Sequence, residues 1–278
     1  MHEPRLERAT RAGCTFFTDP ALASRADIVV AFSERTGGIS RGAFGSLNLA
    51  AHVGDDPVAV DENRARLMRS LGLSPFREKL VTAEQVHGSR VALVDAAEGG
   101  SGAWATGGRT AIPETDGLVT CTSDLPLMLL FADCVPIVLV AFTTTCRAVA
   151  VIHSGWRGVR DRVVVSGVRA LTQTAGCDVC NVLAYIGPHI CRDHYEVGPE
   201  VVSQFEDRFV TVSRAGSGYL DLGAAVSDSL VEAGVPMSAQ CSLNACTADH
   251  TDRFFSYRAS GGQTGRHAAL AAVVGQTR

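Results

Sequence analysis

The sequence predicts an α+β fold in a single domain, and three observations carry that prediction. Strand-length apolar runs rich in valine and leucine recur along the chain. Helix-length stretches with one apolar face lie between them, and no internal repeat, linker or domain boundary divides the 278 residues. A chain of this length, 46% hydrophobic and 19% charged, can bury a sizeable core.

The elements follow in order. Residues 1–26 are expected as an N-terminal extension and residues 27–278 as the single domain. Ile28-Val29-Val30-Ala31-Phe32 predicts a strand, with a tight polar loop over Glu34 to Gly38. A helix follows: Asp56 caps it, Pro57 suits its first turn, Val60, Leu67, Met68 and Leu71 line one face, and Gly72 ends it. Strands are expected at Leu80 to Val86 and Arg90 to Val94, joined at His87-Gly88-Ser89. The glycine-rich stretch from Ala96 to Gly117 predicts a long loop or flap. Four buried strands come next, at Leu118 to Cys121, Leu127 to Phe131, Val135 to Phe142 and Ala148 to Ile152. A helix over Val159 to Ala175, a strand at Val182 to Ile186, helices over Pro199 to Phe209 and Ala224 to Ala233, and a strand from Ala268 to Val274 complete the chain.

Charge and cysteine usage exclude several functions. With 25 basic and 29 acidic residues, the chain lacks the cationic excess with which nucleic-acid binders displace counterions. The apolar stretch from Leu125 to Phe142 is broken by Pro126, Asp133 and Pro136, which argues against a membrane span. Nine cysteines, an odd number in a chain too large to need stapling, argue against a disulfide framework. The charged N-terminus has no signal-peptide pattern, so a reducing cytoplasm and mostly buried thiols are expected.

Three segments place reactive residues at strand ends: Gln85-Val86-His87-Gly88, Ala132-Asp133-Cys134 and His153-Ser154-Gly155-Trp156-Arg157-Gly158. Strand ends present side chains to a crevice, so the three can converge. Two imidazoles and a thiolate suit zinc, and three protein donors leave one tetrahedral position open for chemistry. Two other readings are open: Cys134 as a nucleophile activated by His87 or His153, and structural histidines with no ligand at all. Asp133 either orients a histidine or holds its loop. Cys177-Asp178-Val179-Cys180 is a lone Cys-x-x-Cys and a weak redox or zinc signal. Phe255-Ser256-Tyr257-Arg258 and Thr264-Gly265-Arg266 gather aromatics and arginines suited to stacking a ring and holding an anion.

These segments, together with Phe32-Ser33-Glu34-Arg35-Thr36-Gly37-Gly38, Ser46-Leu47-Asn48-Leu49, His52-Val53-Gly54-Asp55-Asp56, Asn63-Arg64 and Tyr195-Glu196-Val197-Gly198, resemble the polyphenol oxidase laccase-like family. That family is now associated with zinc-dependent purine nucleoside phosphorylase. The departures are Ser154, where the family usually has alanine, and His189, where it often has cysteine or a small residue. The resemblance implies a four-layer α/β/β/α sandwich with mixed sheets, and zinc held by His87, Cys134 and His153, with copper as a substitute. It implies phosphorolysis of adenosine, inosine, guanosine and methylthioadenosine, and adenosine deamination. Purine nucleosides and inorganic phosphate are then the partners. Arg64 joins the three donors as a catalytic residue that holds phosphate, and Arg35, Asn48 and Gln85 are the expected substrate-binding residues. Copper polyphenol oxidation fits less well, because the chain has eight histidines and no His-x-His. Amide hydrolysis in peptidoglycan-precursor editing is a further alternative, and a non-catalytic nucleotide sensor is the weakest.

Overall fold

The computed structural model describes residues 2–144, 146–206, 208–209 and 218–275. The segment before Asp27, to which sequence reasoning assigned no element, forms a hairpin of β1 (Glu7–Arg11) and β2 (Cys14–Thr18), followed by α1 (Pro20–Ala26). Asp19 caps α1 by accepting the N–H groups of Ala21 and Leu22. Strand β3 (Ile28–Ser33) follows, and then α2 (Pro57–Ser70), whose cap Asp56 accepts the Val58 N–H as its sequence predicts. Next come β4 (Val91–Leu93), β5 (Gly117–Thr120), β6 (Leu127–Phe131), β7 (Val135–Phe142) and β8 (Arg147–Ser154). The remainder is α3 (Trp156–Arg160), α4 (Val163–Ala175), β9 (Val182–Ile186), α5 (Pro199–Glu206), α6 (Leu222–Glu232), β10 (Gln240–Ser242) and β11 (His267–Val273).

Two sheets face one another. One, ordered β1-β2-β3-β11-β6, is antiparallel throughout. The other, ordered β10-β9-β7-β8-β5-β4, is mixed, with a parallel pair at each edge. The period-2 alternation of side chains sorts residues into three cores. Phe32, Leu129, Val138, Val140, Val151 and Tyr185 meet between the sheets. Ile137, Leu139, Ala150 and Ile152 face the other way, against α4 and α6. Ala31, Met128, Leu130 and Leu270 pack against Leu67 and Met68 of α2. The result is the expected α/β/β/α layering.

Several expectations are corrected. The four buried strands are divided between the sheets, since β6 pairs with β11 while β5, β7 and β8 stay together. No hairpin joins residues 80–86 to β4. Val81 and Ala83 make only isolated bridges, and β4 pairs with β5 instead. At the expected turn, where His87 has a left-handed backbone (φ 62°), the N–H groups of Val86, His87 and Gly88 go to the Asp116 side chain instead of to a facing strand. The helix expected from Val159 to Ala175 breaks at Arg162 (φ 68°) into α3 and α4. The helix expected over Pro199 to Phe209 runs to Glu206 as α5, and residue 207 lies outside the described residues. Most thiols are not buried: Cys14 and Cys246 are, Cys121 and Cys180 are exposed, and the other five lie between. Among the described residues no helix is long and apolar enough to cross a membrane.

Candidate metal centre and cavity

The three residues expected at strand ends converge, His87 from an irregular segment that makes only isolated bridges. The donor atoms of His87, Cys134 and His153 all lie within 4.8 Å of one another. Cys134 sits in the short connection that carries the chain from β6 in one sheet to β7 in the other. His153 is the penultimate residue of β8, paired with Pro136 across the sheet. The two imidazole rings are 4.8 Å apart at 78°, edge to face.

A buried carboxylate organises both histidines. Asp116 accepts from His153 Nδ1 at 2.7 Å and from the backbone N–H groups of Val86, His87 and Gly88 at 3.2, 3.0 and 2.7 Å. A carboxylate only accepts, so Nδ1 of His153 carries the proton and Nε2 is left to coordinate. Sequence reasoning missed Asp116. Its signal was an aspartate at the end of a glycine-rich loop, directly before the buried strand β5.

The donor set fits a metal ion on two counts. Burial pushes the Cys134 thiol up, but the charges and hydrogen bonds of His153 and His87 outweigh it and hold the thiol well below its ordinary value. Burial likewise pushes His153 down, yet Cys134 and Asp116 raise it. The result is a thiolate beside an imidazolium, the form a soft cation displaces a proton to bind. The second count is space. A Cβ on Gly155 would stand 2.8 Å from the His87 ring and 3.3 Å from Cys134 Sγ, so only glycine leaves the donors their room.

These donors line a cavity of about 1030 Å³ whose walls include His52, Arg64, Gln85, Trp104, Arg157, Tyr195, Tyr257, Arg258 and Arg266. Arg64 reaches it from the middle of α2, but much of its guanidinium is already committed. Nε donates to the Leu49 carbonyl and Nη1 to those of Gly102 and Ala103. Burial, with Arg77 nearby, lowers its pKa to about 10, so it remains a cation. Asp61, one turn before it, accepts from the Ala105 and Thr106 N–H groups, so α2 fastens the loop expected to be a flap. Gln85 lines the cavity with its amide paired to Leu130, donating to the carbonyl at 2.8 Å and accepting the N–H at 2.9 Å.

Two expected substrate-binding residues lie elsewhere. Arg35 gives Nε and Nη2 to the Gly45 carbonyl and Nη1 to that of Thr251, and stacks 4.3 Å over Phe255. Asn48 is fully buried, bonded to the backbone of Ala50, to Asp55 and to the Arg266 N–H. Neither lines the cavity. Asp133 (φ 93°) holds its loop, accepting from the Thr247 hydroxyl and the Arg258 N–H. His189 also lies outside the wall, bonded through Nδ1 to its neighbour's carbonyl, Gly187. Ser154 is buried, with no hydrogen-bond partner for its hydroxyl. Arg266, Tyr257 and Arg258 of the wall come from the two segments read as suited to stacking a ring and holding an anion, whereas His52 and Trp104 had been given no role.

The chain resembles known proteins over most of its length. A purine nucleoside phosphorylase of Streptomyces coelicolor is 38% identical over 230 residues, covering 82% of this chain and 88% of its own. Adenosine deaminase RL5, from an unknown prokaryotic organism, is 35% identical over 246 residues, covering 86% and 91%. The crystal structure of YlmD from Geobacillus stearothermophilus superposes with a TM-score of 0.87 at 34% identity, covering 97% of this chain and 99% of that one. The family model described as multi-copper polyphenol oxidoreductase laccase matches residues 29–274, and the chain belongs to that family.

Proposed function

We propose that the chain is a purine nucleoside phosphorylase in which His87, Cys134 and His153 hold zinc. The observation that carries this reading is a three-donor centre on the wall of a cavity that also gathers arginines. Phosphorolysis needs an anion held beside C1′ of the ribose and a purine held in place to leave. His52, whose proton affinity is depressed by burial and by the charges of Arg266 and Arg64, marks where that cationic field concentrates. Arg64 and Arg266 there would neutralise phosphate, and Tyr195 and Tyr257 offer ring faces for the base. Bound zinc supplies a Lewis acid that polarises a coordinated oxygen. Asp116 keeps His153 in the tautomer that coordinates.

The same cavity supports adenosine deamination as a second activity, and the name of the RL5 relative favours including it. Copper oxidation has less support. Among the described residues the His/Cys clusters contain at most two histidines, short of a multi-copper centre. Amide hydrolysis with Cys134 as nucleophile competes for the same thiolate.

The test is zinc-loaded protein incubated with adenosine, inosine, guanosine and methylthioadenosine, with and without phosphate, followed by chromatography. Free base that appears only with phosphate supports phosphorolysis, and inosine formed from adenosine without phosphate supports deamination. Neither product from a zinc-loaded sample overturns the reading.

A further inference from the structure

A second constellation of metal-binding side chains lies outside the donor trio just described. Cys191, His194, Cys246 and Asp249 bring two thiols, an imidazole and a carboxylate to one point, their ligand atoms all within 4.8 Å of one another. Two loops build it. In the first, between β9 and α5, a single 3-10 turn spans Arg192 to His194. In such a turn residues three apart eclipse, and this sets His194 Nδ1 3.3 Å from Cys191 Sγ. In the second loop, Cys246 and Asp249 have the same three-residue spacing within a turn closed by the His250 N–H on the Cys246 carbonyl. An isolated parallel bridge between His189 and Cys246 holds the loops side by side.

We propose that this cluster is a second, structural binding site for a divalent transition metal of the zinc type. The three edges that meet at His194 already have the length such an ion requires. Donors placed about 2.0 to 2.3 Å from a tetrahedral zinc stand roughly 3.3 to 3.8 Å from one another. Here His194 Nδ1 lies 3.3 Å from Cys191 Sγ, 3.6 Å from Cys246 Sγ and 3.6 Å from Asp249 Oδ1. Cys191 Sγ stands 4.0 Å from Asp249 Oδ2. The Cys191 N–H also donates to Cys246 Sγ at 3.2 Å, the kind of backbone contact that orients a coordinating thiolate. Four protein donors complete the coordination shell, so this site has no open position for chemistry.

Its role follows from what the two loops carry. Tyr195 adjoins His194, and Tyr257 and Arg258 follow Asp249, all three on the cavity wall. Thr247, next to Cys246, holds Asp133 beside Cys134. Metal here would pin together these two adjoining parts of the cavity wall, where Arg258 already lies 5.3 Å over the Tyr195 ring, without touching the cavity's contents.

The test uses the full-length protein, kept reduced, stripped of metal and titrated with Zn²⁺ and with Co²⁺, whose thiolate charge-transfer absorption reports sulfur ligation. The Cys134→Ala variant, with the first site disabled, is expected to bind one equivalent with that absorption. Cys191→Ser or Cys246→Ser on the same background should abolish it. His194→Gln and Asp249→Asn, at exposed positions where the fold is not at stake, should weaken binding about tenfold or more. A Cys134→Ala protein that binds no metal, or whose binding ignores all four positions, overturns the proposal. A Cys191–Cys246 disulfide that reductant does not exchange for metal overturns it as well. Failure of the nucleoside reading would leave this stoichiometry untouched.

Discussion

Asp116 and His153 form a buried carboxylate–imidazole pair at 2.7 Å, and the same carboxylate binds the backbone beneath His87. One side chain therefore sets the orientation of one donor and the position of another. Replacing it with asparagine keeps the shape but presents an N–H₂ group toward N–H donors. Asp116→Asn is expected to weaken zinc binding about 10- to 100-fold with the fold retained, as measured by chelator competition alongside circular dichroism.

Cys134 gives a pH signature in the metal-free protein. Its thiol is held below the ordinary value, so the thiolate persists at pH 7 and is lost as pH falls through the depressed pKa. Iodoacetamide should label Cys134 at neutral pH ahead of the exposed Cys121 and Cys180. His153→Gln should move the labelling profile to higher pH, and peptide mapping at a series of pH values reads both effects.

Arg64 is a strut as well as a cation. Arg64→Met would remove the guanidinium from the carbonyls of Leu49 and Ala103 and leave that of Gly102 to the Thr82 hydroxyl, at a cost of about 1–3 kcal/mol of stability. It would also loosen the loop at Gly102 and Ala103, although Asp61 still holds Ala105 and Thr106. The expected result is a lower melting temperature together with a raised KM for phosphate. An unchanged KM would confine Arg64 to the structural role.

Asn48 is expected to act through stability alone. Asn48→Ala strands the buried Ala50 N–H, takes the Asn48 oxygen from the half-buried Arg266 N–H and leaves Asp55 to Ser40, and should cost about 3 kcal/mol, read by urea denaturation. The KM of the folded fraction should not change.

Glu34 governs acid stability. Burial pushes its carboxyl up, but Arg8 and Arg253 outweigh burial and hold it below its ordinary value. A depressed folded pKa stabilises above the unfolded value and loses that contribution as pH falls through the folded one. Glu34→Gln should therefore lower the melting temperature at pH 7 and reduce its fall between about pH 5 and pH 3, measured by thermal melts across that range.

Much of this arrangement was legible because burial leaves a periodic trace. The valine-rich runs of β7 and β8 and the capped, one-faced α2 declared themselves, as did the polar interruptions at strand ends that became His87, Cys134 and His153. The edge strand β1 did not, since Glu7 to Arg11 is largely exposed and its composition gives no apolar alternation. Asp116 escaped because its partners are backbone groups and a histidine far along the chain. Arg35 and Asn48 were offered by the family resemblance rather than by any local pattern, and the sequence carries no trace that their polar atoms meet carbonyls and N–H groups of the protein itself.

The crossing of Cys134 from one sheet to the other has a mechanical consequence. Val81 bridges to β6 in one sheet, His87 follows, and Val91 pairs with β5 in the other, so a second strand connection spans the same gap. An ion gripped by His87, Cys134 and His153 would rivet both crossings to β8. Sliding of the sheets past one another would then require the ion to leave. Amide hydrogen exchange of β6 and β7 should accordingly slow together on metal loading.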